Sequence, residues 1–180
     1  MTGQRILGAV LAGGEARRFG SDKAMALLHG TPLIQHVLAG LGRQVAAVVV
    51  VGRAVDGLPA LADRPGRGYG PLGGLCAALH HAAAEGFDAV VSVSCDTPLL
   101  PEDLVARLAP VAPSYVAGQY LIGCWPARLA GALDARLAET PDRSLRGWGR
   151  HIGARAVKFA QEIANVNSPD DLARLQENAA

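Results

Sequence analysis

Aromatic residues and net charge are both scarce in this sequence of 180 residues. Phe, Trp and Tyr together make up 4% of it, although half of all residues are apolar, so the core must consist largely of Ala, Val, Leu and Ile. The formal net charge of +1 excludes a strong overall field that would attract nucleic acid or a membrane surface. No apolar stretch reaches the roughly 18 residues that a transmembrane helix needs. We therefore expect a single globular domain over residues 1–180, with neither nucleic acid nor membrane as a partner.

Cysteine is also sparse, and its spacing is informative. The three cysteines, Cys76, Cys95 and Cys124, are widely separated and form no C-x-x-C pair, which argues against a disulfide framework and against a zinc site. Reduced, partly buried thiols are the simpler interpretation. The apolar run Ile6–Ala12 ends in glycines and charged residues instead of a cleavage-site pattern, which is typical of a strand and not of a signal peptide. These features together predict a cytoplasmic protein.

Strand patterns alternate with helix starts along the first part of the chain. Continuous apolar runs predict strands at Ile6–Leu11, Ala47–Val51 and Asp88–Val93. Prolines in suitable contexts predict helix starts at Thr31-Pro32 (with Thr31 as N-cap), Gly70-Pro71 and Pro101-Glu102-Asp103. Strands that are apolar throughout, each followed by a helix, indicate βαβ units and a parallel sheet that is covered on both faces.

The pattern is looser after about residue 112. Short strands are expected at Ser114–Ala117, Tyr120–Cys124 and Arg155–Phe159, with a helix over Arg128–Glu139. Ser168 is expected to cap a last helix. The fold class that follows is α/β, a three-layer α/β/α sandwich around a Rossmann-like, mostly parallel sheet.

The segment after the first predicted strand combines glycines with cations. Leu11-Ala-Gly-Gly-Glu-Ala-Arg-Arg-Phe-Gly-Ser-Asp-Lys23 follows the strand end beyond which open parallel sheets bind their ligands. Gly13 and Gly14 allow backbone N–H groups to approach an anion closely. Three cations complete the segment: Arg17, Arg18 and Lys23. Glycines and cations in this position favour a triphosphate site.

Two other phosphate-binding motifs fail on spacing. A Walker A loop requires G-x-x-x-x-G-K-[ST], whereas here Gly14 and Gly20 are one residue too far apart and Lys23 follows Ser21-Asp22. A dinucleotide-binding G-x-G-x-x-G is absent, which argues against a Rossmann-type oxidoreductase. A solvated turn with scattered charges is the remaining alternative, and it explains the density of glycine and arginine less well.

The pattern LAGG-x-x-x-R-x-G-x-DK resembles the signature of the nucleotidyltransferases that make molybdopterin dinucleotides. The similarity is closest to the molybdenum cofactor guanylyltransferases, since Ala-Gly-Gly in place of Ala-Ala-Gly is typical of guanylyl and not cytidylyl transfer in that family. The resemblance implies transfer of GMP from GTP to molybdopterin (Mo-molybdopterin), with Mg²⁺ as cofactor. It also implies catalytic roles for Arg17 and Lys23, and nucleotide contacts from Leu11, Ala12, Gly13, Gly14, Arg18 and Lys23.

A second glycine-rich segment, Gly70-Pro-Leu-Gly-Gly-Leu75, resembles the part of the family that lines the nucleotide pocket. The resemblance implies nucleotide contacts from Gly70, Pro71, Leu72 and Gly73. Asp63 precedes this segment, and a carboxylate can accept hydrogen bonds from guanine N1–H and N2–H or from ribose hydroxyls. Asp63 by itself is equally compatible with a surface acid, and the resemblance favours nucleoside binding.

An aspartate follows the third predicted strand, in Ser94-Cys95-Asp96-Thr97-Pro98. A carboxylate at the carboxyl end of a central strand faces the ligand cleft, and Mg²⁺ is typically held by one or two carboxylates together with substrate phosphates. An Asp-Thr-Pro turn that merely ends the strand is the alternative for these residues alone. The resemblance implies that Asp96 binds the metal, contacts the nucleotide and takes part in catalysis.

Asn165-Val-Asn-Ser-Pro169 resembles the N-[IV]-N-[ST]-P segment of the family, on the acceptor side of its site. Because Asn165 and Asn167 alternate, both side chains could face one side of an extended segment. The resemblance implies that the two asparagines lie on the acceptor side of the site and contact either molybdopterin or a second metal position. Ser168 has a purely structural explanation as the expected N-cap.

The sequence departs from the family at two places. Gly52-Arg53 stands where many members have an asparagine after the second strand, and a proline is missing near Gln119-Tyr120. The alternatives are a nucleotidyltransferase that uses CTP and molybdopterin or an NTP and a sugar 1-phosphate, and a non-enzymatic nucleotide- or cofactor-binding adaptor. The partners that the resemblance implies are GTP, molybdopterin, molybdenum-insertion proteins and apo-molybdoenzymes, and we expect a monomer or a weak homo-oligomer.

Overall fold

The computed structural model describes residues 3–13, 22–66 and 68–178. Nine strands lie within these ranges: β1 Ile6–Leu11, β2 Leu27–Leu28, β3 Thr31–Pro32, β4 Ala47–Val51, β5 Ala60–Leu61, β6 Ala89–Ser94, β7 Ser114–Val116, β8 Gln119–Pro126 and β9 Arg155–Val157. Six α-helices lie there as well: α1 Leu33–Gly42, α2 Gly70–Ala84, α3 Leu104–Leu108, α4 Ala130–Glu139, α5 Leu145–His151 and α6 Pro169–Asn178. Within the same ranges, no helix is both long enough and apolar enough to cross a membrane.

Seven of these strands form one sheet in the order β5-β4-β1-β6-β8-β7-β9. β1 pairs in parallel with β4 on one side and with β6 on the other. Among the described strands of this sheet, β8 alone runs in the opposite direction, antiparallel to both β6 and β7. The predicted mostly parallel α/β sheet is therefore confirmed.

Helices cover both faces of the sheet. Leu7 and Ala9 of β1 belong to the core layer under α2, α4 and α5, whereas Ile6 and Val10 belong to the layer under α1 and α3. Successive strand residues point to opposite faces, so a strand that is covered on both sides must be apolar throughout. This requirement explains why the buried strands could be predicted as uninterrupted apolar runs, and it produces the three-layer arrangement.

The expected N-cap at Thr31 is wrong. Thr31–Pro32 forms β3, which pairs antiparallel with Leu27–Leu28, and α1 begins only at Leu33. The two turn residues, His29 and Gly30, have φ angles of 48° and 78°. Positive φ at both central positions is what a tight two-residue hairpin requires. Thr31 and Pro32 therefore belong to the hairpin, although their local sequence is typical of a helix start.

Two other predicted helix starts differ from the structure. α3 begins at Leu104 and not at Pro101, because the intervening residues form a turn in which Leu104 N donates to Pro101 O at 3.2 Å. α4 begins at Ala130, after a 3-10 turn over Ala127–Leu129. Strands β2 and β5 and helix α5 were not predicted at all.

The last helix starts as expected. Ser168 Oγ accepts a hydrogen bond from Asp171 N at 3.2 Å, and Asp171 Oδ2 accepts one from Ser168 N at 2.9 Å. This reciprocal pair satisfies two of the backbone N–H groups that a helix leaves unpaired at its amino end. The predicted N-cap at Ser168 is confirmed, and it fixes the direction in which the chain leaves the preceding asparagine segment.

Candidate active site

Lys23 and Asp96 meet at the edge of the sheet where β1 and β6 end. Asp96 lies two residues beyond β6, and Lys23 begins a 3-10 turn that leads toward the β2–β3 hairpin. Lys23 Nζ lies 2.8 Å from Asp96 Oδ2, and the two side chains are only 15% and 18% exposed. Partial burial reduces the screening of such a pair by salt and water. The structure thus brings together two predicted site residues that are 73 positions apart.

The predicted asparagines reach the same place from the far end of the chain. Asn167 Oδ1 accepts a hydrogen bond from Lys23 Nζ at 3.0 Å. Val166 between them is fully buried, and its backbone N donates to Asp96 O at 2.8 Å. Residues 165–167 are not assigned to a strand, but the alternation holds, since the valine packs into the core while Asn165 and Asn167 contact the site.

Thr97 also lies at the candidate site, although it was not among the predicted site residues. Its side chain is fully buried, and Oγ1 donates to Asn165 Oδ1 at 2.9 Å. The same hydroxyl lies 3.4 Å from Asp96 Oδ1. Thr97 therefore links the β6 end to the asparagine segment. A hydroxyl directly after the candidate metal ligand could have indicated a role for Thr97 in the sequence. The residue was instead explained as part of an Asp-Thr-Pro turn.

The backbone segments after β1 and β4 approach each other closely. A Cβ atom on Gly52 would lie 2.5 Å from Gly13 Cα and 2.8 Å from Gly13 N, and Gly52 has a φ of +83°. Arg53 follows, and its guanidinium lies 2.6 Å from Asp22 Oδ1. Where the family often has an asparagine, this chain thus has a glycine that permits the close approach and an arginine that contacts Asp22, the residue next to Lys23.

The glycine-rich loop is described only at its two ends. Leu11 ends β1, and Ala12 is buried, with its backbone N donating to Val51 O at 2.9 Å. Gly13 is exposed, and Lys23 is placed as given above. The other predicted loop residues, Gly14, Arg17 and Arg18, lie outside the described residues.

Asp63 packs against the start of α2. A methyl group on Gly73 would lie 3.4 Å from Asp63 Cβ, and one on Gly74 would lie 3.6 Å from Asp63 Oδ1. Gly70 has a φ of +57°, Pro71 stands in the first turn, and Leu72 is fully buried beneath them. The structure therefore places Asp63 directly beside the turn that contains the predicted residues Gly70, Pro71, Leu72 and Gly73.

A cavity of about 440 Å³ adjoins the end of β6. Thr97 and Asn165 line it, and so do Pro71 of α2 and Arg146 of α5. Residues 118–122 form another wall, because β8 is antiparallel and therefore starts at the edge where β6 ends. α5 was not predicted, so its contribution to the cavity was missed as well.

Side-chain oxygen atoms predominate in the hydrogen-bonded group around Lys23 and Asp96. The Thr97 hydroxyl and the amide oxygens of Asn165 and Asn167 lie in the same hydrogen-bonded group, and oxygen ligands are those that Mg²⁺ prefers. Burial, and after it the charge of Asp96, raises the pKa of the neighbouring Cys95 thiol. The donor set fits Mg²⁺ better than a thiophilic metal.

Residues 8–156 match the family described as the MobA-like NTP transferase domain. A molybdenum cofactor guanylyltransferase of Rhodobacter capsulatus is 44% identical over 186 residues, which cover 96% of this chain and 96% of the relative. A molybdenum cofactor guanylyltransferase of Acidiphilium cryptum is 39% identical over 184 residues, which cover 95% of this chain and 94% of the relative.

The fold is shared with a solved structure. The crystal structure of molybdopterin-guanine dinucleotide biosynthesis protein A from Archaeoglobus fulgidus superimposes with a TM-score of 0.76 and covers 96% of this chain and 98% of that chain. At 22% identity it supports the fold alone. The family match and the near full-length relatives carry the assignment: this chain belongs to the family of MobA-like NTP transferases.

Proposed function

We propose that this protein transfers GMP from GTP to molybdopterin and releases pyrophosphate. The observation that carries the proposal is the Lys23–Asp96–Asn167 contact beside a cavity at the carboxyl edge of a parallel sheet. The full-length similarity to proteins named molybdenum cofactor guanylyltransferase supports GTP as the nucleotide and molybdopterin as the acceptor.

The triphosphate is assigned to the loop between β1 and Lys23. Gly13 presents its backbone at the end of β1, and Lys23 carries a positive charge at the opposite end of the loop. Gly14, Arg17 and Arg18 complete the proposed phosphate contacts. A cation that is already held in place by hydrogen bonds stabilises phosphate charge without reorganising during the reaction.

The guanine base is assigned to Asp63 and the start of α2. Asp63 packs against Gly73 and Gly74, so a planar base that rests on this turn would meet the carboxylate at its edge. A carboxylate can accept hydrogen bonds from N1–H and N2–H of guanine at once. Adenine, cytosine and uracil do not offer that pair of neighbouring donors, so the contact would select guanine.

The acceptor is assigned to the cavity next to Asp96. Its terminal phosphate would approach past Asn165 and attack the α-phosphorus of GTP in line. One phosphorus–oxygen bond forms to the acceptor, and the bond to the β-phosphate oxygen breaks, with its electron pair leaving on pyrophosphate. The nucleophile is already an anion, so the protein contributes positioning and charge stabilisation and needs no general base.

Asp96 is the residue proposed to hold Mg²⁺, with the Thr97 hydroxyl next to its carboxylate. A bound Mg²⁺ ion would supply neutralising charge for the phosphate oxygens. Lys23 contributes the second positive charge from within the protein. Because Lys23 Nζ already contacts Asp96 Oδ2, the lysine also keeps the carboxylate oriented before the substrate arrives.

Replacing Asp96 tests the assignment. Asp96→Asn should lower the rate of pyrophosphate release from GTP and molybdopterin by roughly a hundredfold, because it removes a charged oxygen ligand without changing the shape of the side chain. Asp88→Asn is a matched control, since Asp88 directly precedes the same strand at the opposite edge of the sheet. Normal turnover of Asp96→Asn with Mg²⁺ would contradict the proposed role.

The same assay separates the alternatives. A protein that binds GTP tightly but releases no pyrophosphate in the presence of molybdopterin is an adaptor and not a transferase. Faster turnover with CTP than with GTP would indicate a cytidylyltransferase. Transfer to apo-molybdoenzymes or molybdenum-insertion proteins is proposed only as a later step, and pull-down of the protein loaded with its dinucleotide product would test it.

A further inference from the structure

Asp134 of α4 is contacted by three side chains from outside its own helix. Arg64 NH2 lies 3.1 Å from Asp134 Oδ2, and Arg64 Nε lies 3.2 Å from Oδ1. His80 Nε2 lies 2.7 Å from Oδ2, and Cys76 Sγ donates to Oδ1 at 3.1 Å. We call Arg64, Cys76, His80 and Asp134 the Asp134 cluster. The reaction proposed above uses none of these four residues.

The Asp134 cluster contains metal-ligand residue types, but Arg64 takes the place of an ion. The ligand atoms of Cys76, His80 and Asp134 lie within 4.8 Å of one another. Arg64, however, contacts both carboxylate oxygens, and two-pronged arginine–carboxylate contacts are among the strongest hydrogen-bonded ion pairs. Burial, and after it the hydrogen bond to Asp134, raises the pKa of the Cys76 thiol to about 12, so the sulfur stays protonated. These observations favour an ion-pair anchor over a metal site.

The anchor acts on the segment that carries Asp63. Residues 62–66 belong to no helix or strand, so other contacts must fix their backbone. Arg64, the residue after Asp63, donates its backbone N to Gly73 O at 3.1 Å and its side chain to Asp134. The segment is thus tied to the start of α2 through the backbone and to α4 through the guanidinium. Cys76 and His80 connect the same carboxylate to α2.

We propose that Asp134 is a positioning residue for the nucleotide, which acts through Arg64 to hold Asp63 where it meets the guanine edge. The inference rests on the proposed placement of the base at Asp63. A binding constellation must be held to within about 0.5 Å by its supporting contacts to select its ligand. Without the anchor, the segment with Asp63 has to be ordered when GTP binds, and that ordering weakens affinity.

Asp134→Asn tests the proposal, with Asp103→Asn as the control. Asp103, the residue before α3, contacts Arg107 of that helix, on the other face of the sheet. Asp134→Asn should weaken GTP binding about tenfold, as measured by calorimetry, and should leave the rate at saturating GTP within about twofold. The control should change neither quantity. Arg64→Lys, which keeps the charge but loses the two-pronged contact, should give an intermediate affinity.

Two readouts separate positioning from a general loss of stability. Inosine triphosphate lacks the N2 amine of guanine, so the wild-type protein should prefer GTP, and Asp134→Asn should reduce that preference. In an Asp63→Asn background, adding Asp134→Asn should change the GTP affinity less than about twofold, because residues that act through one contact are not additive. Equal preference in wild type and Asp134→Asn, or full additivity in the double variant, would overturn the proposal.

The remaining outcomes are also decisive. If Asp134→Asn does not fold, Arg64→Gln carries the same test, because half of the Arg64 side chain is exposed and its loss leaves no buried gap. If GTP binds but molybdopterin is not modified, the proposed reaction is wrong, whereas the affinities still decide on the anchor. A thiolate-to-cobalt absorption band with one equivalent of Co²⁺, lost in Cys76→Ala, would identify a metal site and overturn the anchor.

Discussion

Replacing Gly52 by alanine tests the close approach between the ends of β1 and β4. The new Cβ atom would lie 2.5 Å from Gly13 Cα and 2.8 Å from Gly13 N, both of which are backbone atoms. Gly57 offers a matched control in the same β4–β5 connection. It has a φ of +78°, close to the +83° of Gly52, and nothing lies within 4 Å of its added Cβ. Comparing the two alanine variants isolates the contact with Gly13 from the backbone conformation.

The expected magnitudes follow from these two features. Alanine at positive φ should cost about 1 kcal/mol at either position, after allowing for the lower entropy of the unfolded alanine chain. Gly52→Ala must also separate two backbones by roughly 1 Å, since carbon atoms prefer to lie about 3.5–4.0 Å apart, and such overpacking typically costs about 1–3 kcal/mol. We therefore expect Gly52→Ala to destabilise the protein by about 2–4 kcal/mol and Gly57→Ala by about 1 kcal/mol.

Urea denaturation provides the assay, with emission from the fully buried Trp125 and Trp148 as the signal. Both variants should show the wild-type dependence of unfolding on urea, so the midpoints give the difference in stability directly. Gly52→Ala should also weaken GTP binding more than Gly57→Ala does, because it displaces the start of the proposed triphosphate loop. Equal free energies of unfolding for the two variants would refute the steric argument.

Two further perturbations have definite expected results. Ser92→Ala should destabilise the fold by about 1–3 kcal/mol, because the fully buried Trp125 Nε1 then loses its acceptor at 2.9 Å. Ser114→Ala, which removes one buried hydroxyl donor, should destabilise the fold less in the same urea assay. The pKa of Asp134 is lowered from 3.8 to about 2, mainly by the hydrogen bond from Arg64. The ionised carboxylate therefore stabilises the folded state above pH 3.8, and this stabilisation disappears as the pH falls toward about 2. The urea midpoints of wild type and Asp134→Asn should therefore differ by a constant amount near neutral pH and converge over that acidic range, whereas a difference that persists unchanged to pH 2 would contradict the ion pair.

The buried parallel strands were predictable because burial on both faces leaves one simple pattern. β1 and β4 occur at the residues predicted from their apolar runs, and β6 is displaced by one residue. The start of α2 at Gly70 was likewise marked by proline in the first turn, where its missing N–H has no cost. In these elements the local sequence favours the same structure that long-range packing requires, so the local sequence was sufficient to predict them.

The elements that were missed lack such agreement. α5 contains Gly147 and Gly149, which disfavour a helix locally, and it forms because Leu145 and Trp148 are buried in the core. β5 has two residues, too few for any periodic pattern. In these cases tertiary contacts determine the local structure, and a single sequence does not display them.

The residues of the candidate site were also predictable only in part. Motif resemblance pointed to Lys23, Asp96 and Asn167, which the structure then brings into contact over 144 positions of sequence. No local rule could have placed these residues side by side. Arg146 lines the neighbouring cavity and belongs to none of the motifs that carried the resemblance, so only the fold identifies it. The prediction of one domain over the whole chain stays a prediction.

The reversed direction of β8 explains how the cavity beside β6 can form in an otherwise parallel arrangement. Parallel strands present their carboxyl ends at one edge, where Asp96 follows β6. Because β8 pairs antiparallel with β6, the turn before it and its first residues lie at that same edge and form a cavity wall within reach of Thr97. A parallel strand in this position would instead place its carboxyl end and the loop after it at that edge, and its first residues would lie at the opposite edge. The antiparallel strand thus supplies the acceptor side of the proposed site, while the parallel half of the sheet supplies the nucleotide side.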